Sequence, residues 1–95
     1  VFLNDTYSVT TRLLWALYVL FEAHKGPLSE RAGLSVLPWP ITISELSQLI
    51  HSTREMTSRA FSDATKAGIC VKEGRRILVH RLALAQALQT MEHTT

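Results

Sequence analysis

Cysteine is nearly absent. Cys70 is the only one, so no internal disulfide can form. Long apolar runs are missing too: the longest, Leu13 to Phe21, has nine residues between Arg12 and Glu22. That is well short of the roughly 20 needed to span a bilayer, so it reads as a buried helix or a subunit contact, and no membrane partner is expected. No basic segment followed by an apolar core and a small-residue cleavage pattern opens the chain, so no signal peptide is expected. Together with the lone thiol, this points to a reducing, cytoplasmic setting. His24, His51, His80 and His93 show no metal-ligand spacing with one another or with Cys70, and no recognisable motif positions a pair of carboxylates. A metal, a cofactor or a catalytic site is therefore not expected, nor is an enzyme. Cys70, between Ile69 and Val71, is expected to be a buried, inert thiol.

Net charge is also small, +2, but its distribution is uneven. Residues 51 to 81 hold Arg54, Arg59, Lys66, Lys72, Arg75, Arg76 and Arg81 against Glu55, Asp63 and Glu73, which is +4, leaving −2 on the rest. Such asymmetry marks a side that faces a polyanion, although charge alone fits an ordinary solvated face equally well. The 95 residues, 46% hydrophobic and 19% charged, suit one globular domain over 1–95. Val1-Phe2-Leu3 reads as the last turn of an upstream helix, so the chain is expected to be a fragment of a longer protein.

Along the chain, Asn4 or Asp5 can cap a first helix in which Val9, Leu13, Leu14, Leu17, Leu20 and Phe21 recur at helical spacing. Trp15, Tyr18 and Val19 widen the stripe, which implies burial on more than one side. Gly26-Pro27 should end this helix near Lys25. Leu28 to Pro40 reads as a loop with one short strand around Ser35 to Leu37, since Pro38 and Pro40 forbid a long one. Thr42-Ile43-Ser44-Glu45 is a capping box. The helix it opens carries Leu46, Leu49 and Ile50 on one side and ends near His51.

A further helix should start at Ser52 or Thr53, with Ser52 and Glu55 fitting a second capping box. At 100° per residue, Arg54, Glu55, Ser58 and Arg59 fall at about 0°, 100°, 40° and 140°, while Thr57, Ala60, Phe61 and Ala64 fall at about 300°, 240°, 340° and 280°. Polar and packing residues thus take separate sides, with Phe61 the main anchor. This helix should run to Ala67, ended by Gly68. Ile69-Cys70-Val71 and Ile77-Leu78-Val79 then read as strands joined by the basic tip Lys72 to Arg76, and Leu82 to Met91 as a closing helix. The expected fold is α+β, mostly α: a winged helix-turn-helix with a three-helix core, a small antiparallel wing and a short C-terminal helix.

The stretch "ITISELSQLIHSTREMTSRAFSDATKAGICVKEGRRILV", residues 41 to 79, resembles the C-terminal DNA-binding domain of the cyclic-AMP receptor protein and fumarate/nitrate reduction regulator (CRP/FNR) family. Residues 2 to 17, "FLNDTYSVTTRLLWAL", are similar to the family's hinge between its dimerisation helix and its DNA-binding domain. Only Lys25 to Pro38 is unmatched. The resemblance implies that Arg54, Glu55 and Arg59 read bases, and that Ser58 does so as in the branch with a Glu-x-x-Ser-Arg pattern. It implies phosphate contacts from Thr42, Ser52 and Thr53, and from Lys72, Arg75 and Arg76 on the wing. These residue types suit the task, because Arg can bond guanine O6 and N7 together and Glu accepts from cytosine N4. His51 stands where the family usually has glycine, so a residue with a Cβ must accept positive φ there. Thr57, Ala60 and Ala64 are smaller or more polar than the family's usual Val, Ile and Leu.

The function implied is sequence-specific binding of double-stranded DNA by a bacterial transcription regulator. Helix 53–67 would lie in the major groove of an inverted repeat, with half-sites of the TGTGA or TTGAT kind, in a full-length homodimer. Family members carry an N-terminal sensor domain and its effector, and some touch RNA polymerase through the loop corresponding to part of Lys25 to Pro38. The alternative is a winged helix used as a protein-interaction module, with Arg54 and Arg59 pairing to a partner's acidic residues.

Overall fold

The computed structural model describes residues 8–24 and 28–93. Helix α1 spans Val9–Ala23, β1 Glu30–Arg31, β2 Leu34–Val36, α2 Ile43–Leu49, α3 Arg54–Lys66, β3 Cys70–Glu73, β4 Arg76–Val79 and α4 Arg81–His93. The strands form one antiparallel sheet in the order β1-β2-β4-β3. The fold is the mostly helical winged helix-turn-helix anticipated from the sequence, with four strands in place of the three expected.

Ser8, not Asn4 or Asp5, caps α1: its Oγ accepts from the Thr11 amide at 3.1 Å. Asn4 and Asp5, like Val1 to Leu3, lie outside the described residues. The helix stops at Ala23, where extended His24 turns its N–H back to the Phe21 carbonyl. Leu13, Leu14, Leu17 and Phe21 are buried, as the stripe implied. Tyr18 and Val19 instead face solvent, so the burial is narrower than the run of apolar residues suggested.

The segment expected to be a loop with a single strand is a hairpin, β1–β2. Arg31 pairs with Leu34 across a two-residue turn, Ala32-Gly33, in which both residues have positive φ. That is the backbone twist a tight hairpin needs. β2 then pairs with β4, Ser35 opposite Val79 and Val36 opposite Leu78. Beyond the ladder the contact continues: Leu37 N–H donates to the Ile77 carbonyl at 2.8 Å and Ile41 N–H to the Arg75 carbonyl at 3.1 Å. Thus β4 is bonded on its inner side almost to the wing tip. On its other side β3 pairs with it from Cys70–Val79 to Glu73–Arg76, leaving a two-residue turn, Gly74-Arg75, with glycine first.

The core lies between the helices and the sheet's inner face. Leu13, Leu14 and Leu17 of α1 meet Leu46 and Ile50 near α2, Phe61 and Ala64 of α3, Ile77 and Val79 of β4, and Leu84 and Leu88 of α4. Cys70 joins them with no exposed surface. Desolvation pushes its thiol pKa up to about 11, partly opposed by a hydrogen bond with Thr65. Among the described residues no helix is long and apolar enough to cross a membrane, and no group of three His, Cys, Asp or Glu could hold a metal ion.

Candidate nucleic-acid interface

Helix α2 starts with the capping box read from the sequence. Thr42 Oγ1 accepts from the Glu45 amide at 3.1 Å, and Glu45 Oε1 accepts from the Thr42 amide at 2.9 Å. It ends in a Schellman motif. His51 N–H donates to the Gln48 carbonyl at 3.4 Å and Ser52 N–H to the Ser47 carbonyl at 2.9 Å, with His51 itself at φ +55°. This is the place glycine usually fills. Only Ser52 and Thr53 separate His51 from α3, so the turn between the helices is short and internally bonded.

Thr53 caps α3, its Oγ1 accepting from the Met56 amide at 3.1 Å. The second capping box, Ser52 with Glu55, does not form: with Thr53 as the cap, the third helical residue is Met56, which has no carboxylate to return the bond. Half-buried Ser52 belongs to the turn. The packing side is as the angles required, with Thr57, Ala60, Phe61 and Ala64 all buried. Thr57 meets its burial by donating its hydroxyl to the Thr53 carbonyl at 2.8 Å. At the far end Gly68 has φ +79°, and the bonds Gly68 N–H to Thr65 O and Ile69 N–H to Ala64 O close a second Schellman motif.

Opposite the packing side lies an open groove along α3, lined by Arg54, Glu55, Ser58, Arg59, Ser62 and Lys66, among others. All four residues expected to read bases therefore share one exposed face. Arg59 and Glu55 are 3.8 Å apart with side chains 74% and 85% exposed, a loose ion pair of the i, i+4 kind. At this exposure such a pair stabilises by only a few tenths of a kcal/mol, so it does not hold either group away from a ligand. Ser62 and Lys66 were not singled out from the sequence. The same 100° arithmetic places them at about 80° and 120°, inside the sector of Arg54, Glu55, Ser58 and Arg59, so the signal was present.

The residues expected on phosphate stand in unequal settings. Arg75 is exposed at the wing tip. Arg76 faces the loop after β2, donating from Nη1 to the Pro38 carbonyl at 3.0 Å. Lys72 is half-buried, and its ammonium donates to the Gly74 carbonyl within the wing turn. Thr42 and Thr53 are both committed as helix caps, which leaves each hydroxyl proton to offer outward.

One buried cation was not anticipated. Arg12, only 7% exposed, reaches from α1 beneath the turn and donates from Nη1 to the carbonyls of Ile50 at 2.8 Å and His51 at 3.1 Å. Periodicity hides it, because a polar residue at that point of the stripe reads as the edge of the solvent face.

The model of the Crp-like helix-turn-helix domain matches residues 11–89. Among solved structures, reduced, ligand-free CprK aligns with a TM-score of 0.70 at 18% identity, covering 90% of this chain and 39% of that one. A transcriptional regulator of the CRP/FNR family from Thermus thermophilus aligns with a TM-score of 0.69 at 23% identity, covering 88% and 42%. The c-di-GMP-responsive global regulator CLP of Xanthomonas campestris aligns with a TM-score of 0.63 at 20% identity, covering 77% and 33%. The chain thus spans two fifths or less of the length of most of these regulators. No curated protein matches it significantly.

Proposed function

The chain belongs to the Crp-like helix-turn-helix domain family, and from that premise we propose that it is the sequence-reading part of a cytoplasmic CRP/FNR-type transcription regulator. Helix α3 enters the major groove of double-stranded DNA by its N-terminal turns. In a full-length homodimer two such helices meet successive grooves of an inverted repeat, about one helical turn apart. The observation that supports this is the shared exposure of Arg54, Glu55, Ser58 and Arg59 on one open face of α3, opposite the residues that anchor it.

Chemically, Arg54 and Arg59 offer paired N–H donors for guanine O6 and N7, Glu55 accepts from cytosine N4, and the Ser58 hydroxyl can serve either role. The 3.8 Å ion pair is loose enough for both partners to exchange it for base contacts. Thr53 and Ser52 sit where the groove's edge brings phosphate near the start of α3, and Thr42 does so at the start of α2. On the wing, Arg75 meets the flanking backbone directly, whereas Arg76 and Lys72 must share or exchange their carbonyl partners to do the same. A sensor domain with its effector, as in family members, would lie outside these residues, whereas any contact with RNA polymerase would fall on part of Lys25 to Pro38.

Selection of binding sites from a random duplex pool tests the proposal. The expected result is a recurring half-site of about five base pairs, with binding that weakens steeply as salt rises. Weak binding with a shallow salt slope and no preferred sequence would leave the chain a protein-interaction module instead.

A further inference from the structure

We infer that Arg12 is a positioning residue for DNA recognition: it fixes the direction in which α3 leaves the helix-turn-helix turn. This rests on the reading of α3 as the base-contacting helix. The Schellman motif at the end of α2 uses the carbonyls of Ser47 and Gln48. Two later ones, on Ile50 and His51, are those that Arg12 Nη1 takes, at 2.8 and 3.1 Å. They lie at the negative end of α2, where a cation is favoured electrostatically as well as by hydrogen bonding. Both peptide planes belong to the bend between α2 and α3, and His51 there holds a φ of +55° that its Cβ disfavours. One guanidinium rooted in α1 therefore ties a strained turn to a helix that packs on both α2 and α3.

The lever arm makes this matter. Arg59 stands six residues beyond the Thr53 cap, so it lies about 9 Å along the axis from the turn. A tilt of about 6° there displaces it by about 1 Å, whereas a good hydrogen bond tolerates a window of about half an ångström. Base contacts would fail under such a tilt. Contacts to phosphate, made by long, mobile side chains, would persist.

The test compares the chain with its Arg12→Met and Arg12→Lys variants. Met keeps an unbranched stem and removes the donors; Lys keeps the charge and a single donating centre on a shorter reach. Hydrogen exchange is measured first, on the free protein. Arg12→Met should speed exchange of the His51, Ser52, Met56 and Thr57 amides by about tenfold or more, while the His80 and Leu84 amides change by less than about twofold. Arg12→Lys should fall between. Affinity is then measured for a duplex carrying the selected site and for its scrambled counterpart. Arg12→Met should lower the ratio of the two by about tenfold, with the scrambled duplex bound as before. Undisturbed turn amides, or acceleration spread evenly over all amides, would overturn the inference, as would equal loss on both duplexes. If the unmodified chain prefers no sequence, the base-reading proposal fails, and the exchange arm alone decides whether Arg12 holds the turn.

Discussion

Arg59 and Arg75 carry the same charge yet should behave differently when removed. Arg59, on the groove face of α3, is expected to give up about 1 to 3 kcal/mol of binding on Ala substitution and to relax choice at one base pair. Affinity measured across single-base variants of the selected site checks this, and equal loss on cognate and scrambled duplexes would refute the assigned role. Phe61, 6% exposed, is the large side chain that anchors α3 among smaller neighbours. Phe61→Ala should cost about 3 to 5 kcal/mol in urea unfolding, enough to unfold a marginal domain. Cys70 adds a pH signature. Its folded-state pKa of about 11 lies above its ordinary value of 9.0, so the folded state holds its proton more tightly. That contribution is fully present below pH 9 and is lost as pH rises through the interval up to about 11. Alkylation by iodoacetamide at pH 8 should accordingly be negligible in the folded protein and rapid in urea.

At the scale of elements, the caps decide where helices begin. Thr53→Ala should destabilise the chain by about 1 kcal/mol, because the Met56 amide loses its acceptor, while Ser52→Ala should cost less than about 0.5 kcal/mol. Urea midpoints of the two variants distinguish the caps. The sequence left this choice open, since Ser52 and Thr53 are both good caps and Glu55 favoured the wrong one. By contrast, Thr42 and Glu45 were legible as a pair, because they stand at capping-box spacing and the apolar residues Leu46, Leu49 and Ile50 follow at once. The exposed polar face of α3 was legible for a related reason: helical spacing alone separates it from Phe61 and Ala64, while the base-reading role proposed for it came from the family resemblance. The β1–β2 hairpin was not. Glu30-Arg31 shows no alternation, Ala32 is an uncommon occupant of positive φ, and β2 gains its stability from β4, more than 40 residues away in sequence. Arg12 escaped notice for the same non-local reason, its partners lying 38 and 39 residues further along.

For the molecule as a whole, the basic third of the chain lies on α3 and the wing, so binding should depend strongly on salt. Arg75→Ala is expected to weaken all sequences alike and to reduce the slope of log affinity against log salt by about one unit, read from titrations at several salt concentrations. The bonds that run along β4 from Val79 to Arg75, ending at the Ile41 amide, have a mechanical corollary. A hairpin rooted only at its base would bend like a reed when its tip met a duplex. This one is riveted along its length to the segment that launches α2, so a push on the tip is delivered as a rigid-body load to the helix pair rather than dissipated by flexing.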